Sequence, residues 1–184
     1  MQIYYPSLQA IHQHTMQMDH AKCIHCKQTN QLVSHGFVYK KQTCAEPEAV
    51  GKRVFCSNRN NHTGCGRTIQ LYLDSIVRYL HYAGACMVAF MLSFTSGMTI
   101  ARAYHQATGT DAPRNAYRWL NKVSGQLSHY RSLSHQPLLQ NIAPTVAATS
   151  QRRCLFASTF QTLLQRFGQP LCSRYQQQRQ RSLL

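Results

Sequence analysis

The sequence predicts an α+β protein: a small, metal-dependent β module of zinc-ribbon type, then a helical domain of helix-turn-helix type, then a basic C-terminal helix and tail. Three observations carry this expectation. Five of the eight cysteines fall in residues 21–70, among Gly and Asn at turn positions and short alternating runs. Beyond residue 71 the apolar residues recur at helical spacing. Acidic residues end at Asp111, so residues 112–184 carry ten Lys or Arg and no carboxylate.

The elements follow in order. Residues 1–20 are rich in Gln, His and Met without a pattern and read as an arm or a short helix packed on something else. Residues 21–70 form the β module, with Phe37-Val38-Tyr39 and Arg53-Val54-Phe55 as strand segments. Residues 71–127 turn helical. Leu73, Ile76, Val77 and Leu80 lie at helix spacing, and residues 85–94, 100–107 and 113–123 form three further helices. Ser96-Gly97 and Gly109 break them, and Pro113 sits where a helix tolerates proline, in its first turn. Residues 128–150, with Ser, His, Gln and Pro, read as a linker. Residues 151–184 hold a last amphipathic helix with Leu155, Phe156, Phe160, Leu163, Leu164 and Phe167 apolar, followed by a Gln/Arg-rich tail that includes Tyr175.

At 184 residues the chain has room for one or two small modules, which excludes a large multidomain enzyme. Twenty Lys and Arg against five Asp and Glu give a formal charge of +15, and such an imbalance suits a polyanion better than a neutral small molecule. No stretch reaches the roughly 18 apolar residues of a membrane span, so no membrane partner is expected. The N-terminus lacks the charged start and apolar centre of a secretory signal. That points to a reducing cytoplasm, where clustered cysteines hold metal more often than they pair.

Cys23 and Cys26, two residues apart, can reach one ion from a tight turn, and Cys56 with Cys65 offers a second pair. The second pair is separated by SNRNNHTG, longer than usual, which leaves His62 or Cys44 as substitute ligands. Gly66 follows Cys65 and permits the positive φ with which such a turn ends. Four thiolates and no open position describe a structural Zn2+ rather than a catalytic one. Its task would be to hold a hairpin displaying Lys40, Lys41, Lys52, Arg53, Arg59 and Arg67. His25 is expected to face solvent or phosphate, and Cys86, Cys154 and Cys172 read as isolated thiols.

Between residues 96 and 123 the order helix, short Gly-containing connection, helix is the framework of a helix-turn-helix. Ala116, Leu120 and Val123 fall at i, i+4 and i+7 and should face the core with Trp119 beside them. Arg114, Asn115, Arg118 and Lys122 fall mainly on the other side, where Arg suits guanine, Asn suits adenine and Lys suits phosphate.

These residues also resemble a known family. CIHC, then SHGFVYKK, then GKRVFC and GCGRTIQLYL are similar to the N-terminal zinc ribbon of bacterial insertion-sequence transposases, with its CxxC, HG-aromatic strand and final CGRT. TIARAYHQATGTDAPRNAYRWLNKV resembles their helix-turn-helix, including the closing YRWL. The resemblance spans about residues 20–125. It implies recognition of transposon-end or target double-stranded DNA, with Cys23, Cys26, Cys56 and Cys65 as zinc ligands and the helix of Arg114 and Arg118 as reader. It also implies a bacterial, nucleoid-associated location.

The family continues into a catalytic domain with an Asp/Asp/Glu triad, which this sequence does not supply. Five acids do not furnish a two-metal site. His12-Gln13-His14 has the spacing of a nuclease pair but a polar centre, and no Gly-rich phosphate loop occurs. The expectation is a non-enzymatic accessory factor of a mobile element, acting with a transposase or recombinase. The alternatives are a protein-assembly subunit of such a complex and a truncated transposase remnant.

Overall fold

In a computed structural model of the chain, describing residues 2–18, 21–40, 47–77, 82–134 and 148–184, the protein is α+β, with a four-stranded sheet and six helices. It divides into two compact units: residues 1–81 with 175–183, and residues 82–174 with Leu184.

The first unit begins with β1 (Gln2–Tyr5) and α1 (Leu8–Met16); of the two readings of this stretch, an arm or a short packed helix, the helix forms, preceded by a strand that neither reading includes. Ser7, in extended conformation, accepts a hydrogen bond from the Ala10 amide at 3.1 Å and starts the helix as its N-cap. Then follow β2 (Leu32–Lys40), β3 (Glu48–Cys56) and β4 (Thr68–Leu73), in the spatial order β1-β4-β3-β2. The β2–β3 and β3–β4 pairs are antiparallel and β1–β4 is parallel, with Ile3 opposite Leu71. α1 packs on β3, β1 and β4. Ile11, Met18, Leu32, Val54, Ile69 and Leu71 form the buried core, and Cys23 and Cys56 belong to it.

The helix expected to start at residue 71 is a strand there. Leu73, Ile76 and Val77 have helical spacing, but TIQLYL alternates, is rich in strand-forming types and is hydrogen-bonded on both flanks by β1 and β3. The ladder on both sides outweighs a local periodicity. Leu80, Lys41 and Cys44 lie outside the described residues.

The C-terminal segment is built into this unit rather than trailing as a tail. Tyr175 is fully buried, and burial pushes its phenol above the ordinary range. The Gln180 amide accepts from the Tyr4 N–H at 2.8 Å and donates to the Tyr4 carbonyl at 3.1 Å, satisfying the outer edge of β1 as a neighbouring strand would. Gln176, fully buried, donates to the carbonyls of Asp74 and Ile76 and accepts from the Leu183 amide.

The second unit holds α2 (Gly84–Thr95), α3 (Ile100–Thr108), α4 (Arg114–Ser134) and α5 (Ala148–Phe167). Its centre is aromatic. Trp119 lies edge-on to Tyr82, Phe90 and Tyr104 at ring-centroid separations of 5.7, 5.6 and 5.4 Å, a geometry that suits the ring quadrupoles. Arg153 of α5 stacks over Phe94 at 4.9 Å and donates to the carbonyls of Gly97 and Met98 just past the end of α2. α4 continues past the predicted end at residue 123 and into the predicted linker, because Leu127, Tyr130 and Leu133 prolong the buried stripe of Leu120 and Val123. The last helix, α6 (Leu171–Arg179), spans the division between the units.

Candidate metal centre and cationic helix face

Two turns bring the four predicted cysteines together. The first is a tight loop in which the Cys23 amide donates to Gln28 O and the Lys27 amide to Cys23 O, both at 2.8 Å, with Lys27 at φ 62°. The second leaves β3 at Cys56 and returns to β4. The Cys56 amide donates to Arg67 O and the Gly66 amide to Cys56 O, both at 2.9 Å, with Gly66 at φ 70° as the turn requires.

The sulfurs of Cys23 and Cys65 are 3.8 Å apart and those of Cys26 and Cys56 are 3.7 Å apart. All four lie within 4.8 Å of one another. Four sulfurs bonded to a central Zn2+ at about 2.3 Å would be separated by about 3.8 Å, so the donor set fits a tetrahedral ion. The cluster contains no His62. His25 is not a ligand either; its Nδ1 lies 3.4 Å from the Arg67 guanidinium. Cys86, Cys154 and Cys172 are outside the cluster.

The surroundings prepare some thiols and not others. Burial raises the Cys23 thiol, but backbone N–H groups of Cys26 and His25 and the neighbouring sulfurs outweigh it and draw it down to about 7. Burial dominates at Cys56 and pushes it up to about 12, although the Cys65 amide donates to its sulfur at 3.3 Å. Four adjacent thiolates repel one another, so full ionisation needs a cation at their centre.

Residues that the sequence did not single out shape the long second turn. A Cβ at Gly64 would stand 2.3 Å from Ser57 O and 2.6 Å from Cys56 Sγ, so only glycine lets the loop close against its ligand. Gln31 pins the loop twice, its carbonyl accepting from the Ser57 amide and its side chain from the Thr63 amide. Asn60 and Asn61 adopt φ of 53° and 66°. The Asn-Asn pair inside SNRNNHTG was the available signal, because Asn tolerates that region better than most residues.

The predicted ribbon cations do not share one surface. Lys52 and Arg53 are consecutive in a strand and project to opposite faces. The Lys52 ammonium donates to Thr15 of α1 at 3.3 Å and lies 5.6 Å from the centroid of the Phe37 ring. Arg53, Arg59 and Arg67 are exposed, while Lys40 is half-buried, with Glu48 as its Cα partner.

On α4 the two faces separate as predicted. Ala116, Trp119, Leu120 and Val123 are buried. Arg114, Arg118 and Lys122 are exposed, as is Tyr117, and Asn115 is half-buried at the margin. The three cations recur every four residues, along about 12 Å of helix at 1.5 Å per residue. Like charges at that spacing disfavour an isolated helix, and a polyanion relieves the repulsion. The connection before α4 is well formed, with Gly109 at φ 68° capping α3 and its amide donating to His105 O at 2.7 Å.

No helix among the described residues is long and apolar enough to cross a membrane. Comparison with known protein families, with characterised proteins and with solved structures finds no match.

Proposed function

We propose that the protein is a non-catalytic DNA-binding factor of a bacterial transposon or integrative element, recognising element-end or target duplex and serving a transposase or recombinase. In this reading the sheet unit is a zinc ribbon and α3–α4 a helix-turn-helix. The observation that carries the reading is the two-faced α4, whose Ala116, Trp119, Leu120 and Val123 are buried while Arg114, Arg118 and Lys122 stand exposed. A helix held rigidly by its apolar side can offer guanidinium groups in fixed positions to guanine N7 and O6 in the major groove.

Cys23, Cys26, Cys56 and Cys65 would hold the zinc. With all four positions taken by sulfur, the ion supplies cross-linking of the two turns rather than activation of water. The acids support the absence of hydrolytic chemistry in this reading. The Asp74 carboxylate accepts from Gln177, and Asp111 lies 3.5 Å from His105 on an exposed surface.

Titration of labelled element-end duplex against a scrambled duplex tests the proposal. A specificity ratio of about a thousand or more at physiological salt is expected. Equal affinity for both would overturn sequence recognition and return the chain to the protein-assembly reading.

A further inference from the structure

β2 is an edge strand of the sheet, and it carries the most exposed aromatic pair of the described residues. Phe37 is 50% exposed and Tyr39 61% exposed. Their ring centroids are 6.3 Å apart and the planes are tilted by 57°. Burial of aromatic rings is a main source of folding stability, so two rings left in solvent side by side need a reason.

The surroundings say what chemistry suits them. The residue opposite Tyr39 is Ala49, too small to cover the ring. The residue opposite Phe37 is Lys52, whose ammonium is held 5.6 Å from the ring centroid with Thr15 as its hydrogen-bond partner. A cation held over one face of Phe37, with the exposed Tyr39 ring next to it, complements a ligand with flat faces and negative charge. Gly36, at φ 83°, and the irregular pairing between Ser34 and Phe37 turn the strand where the pair begins. A second irregularity in the pairing falls between Val38 and Tyr39, and the two rings still lie side by side; aromatic pairs displayed so on a sheet stack successive unpaired bases of a nucleic acid strand. Among the described residues of β2 and β3 the one carboxylate is that of Glu48, opposite Lys40 at the far end of the strand.

We infer that the Phe37–Tyr39 face of β2, with Lys52 beside it, is a binding site for unpaired single-stranded DNA. Two successive bases stack on the rings, and Lys52 meets the phosphate between them. Among the described residues, Ala49 and Gly51, across from Tyr39 and Val38, bring no side-chain donor or acceptor that would select a ribose 2′-hydroxyl. The inference does not rest on the reading of α4 as a duplex reader.

The test uses the full-length, metal-loaded chain and a fluorescein-labelled oligothymidylate of about 15 nucleotides, with an oligouridylate of equal length and a duplex as further probes. The doubly substituted Phe37→Ala, Tyr39→Ala chain should bind oligothymidylate about tenfold or more weakly, since each stacked ring contributes about five- to a hundredfold. Duplex affinity should stay within about twofold. Phe37→Trp should retain binding, because any aromatic face serves. Arg118→Ala should leave oligothymidylate affinity unchanged, so failure of this site and failure of the duplex reading are distinguishable. A loss below twofold in the double variant, an equal loss on duplex, or tighter binding of oligouridylate would overturn the inference. The rings are exposed, so the variant's unchanged thermal transition and metal content serve as the check that it is folded.

Discussion

The two units reach stability by different means. The helical unit has an aromatic centre in which Trp119, Tyr104, Phe90 and Tyr82 meet edge to face, with Phe94 and Phe156 continuing it. The sheet unit has a cluster of eight buried residues around its sheet, and two of them are cysteines of the four-sulfur cluster. Where apolar burial is modest, cross-links take over. The sulfur cluster closes one end of the sheet unit, the Gln180 amide closes the edge of β1, and Gln176 ties down the segment after β4. The lesson is that the two units rest on different foundations, and on the proposal that the four sulfurs hold an ion only one of them would be removable by a chelator.

Removing the metal should produce the largest contrast. Chelation, or Cys26→Ser, should unfold the sheet unit, since structural zinc contributes on the order of 10 kcal/mol to modules of this kind. Trp119 is the only tryptophan and lies in the helical unit, so its fluorescence should remain native-like while strand signals in circular dichroism are lost. Acidification should act in the same direction, because protons compete with the ion for thiolates and affinity falls as pH falls. A native sheet unit with no bound metal would break the comparison.

Trp119→Ala is the mirror experiment. Deleting a buried aromatic of this size should cost about 3–5 kcal/mol in the helical unit, read by thermal or denaturant unfolding. Metal content should stay at about one equivalent. Loss of metal together with the helical transition would show that the units do not divide the stability as described.

Gln176→Ala should have a smaller effect, about 1–3 kcal/mol, confined to the sheet unit. It leaves the buried carbonyls of Asp74 and Ile76 and the Leu183 amide without their side-chain partner. Hydrogen exchange should quicken around residues 74–76 and 183 and not in the helical unit. Uniform quickening through both units would count against a local role.

How much of this was legible in the sequence follows from the range of each interaction. The CxxC turn, Gly66 and the buried face of α4 are local patterns, so Cys23, Cys26, Ala116, Leu120 and Val123 fall where spacing placed them. Cys56 and Cys65 were readable despite their long separation because few other clustered thiols were available. The misreadings are non-local. Leu71 and Leu73 look helical until β1 and β3 are laid beside them, and nothing near residue 175 shows that Gln180 bonds Tyr4 of β1, 176 positions earlier, or that Gln176 bonds the carbonyls of Asp74 and Ile76 just past β4. The exposure of Phe37 and Tyr39 was equally hidden, since alternation gives a strand two faces without saying which one is covered.

On the proposed function α4 reads duplex sequence through side chains fixed by its buried face, and Arg118 is its middle cation. The most direct measurement is the affinity of Arg118→Ala for element-end and for random duplex, side by side with the parent chain. The account predicts a loss of roughly 1–3 kcal/mol on the element end and much less on random duplex, narrowing the specificity ratio. An equal loss on both would contradict it, because α4 would then be only a phosphate-binding surface.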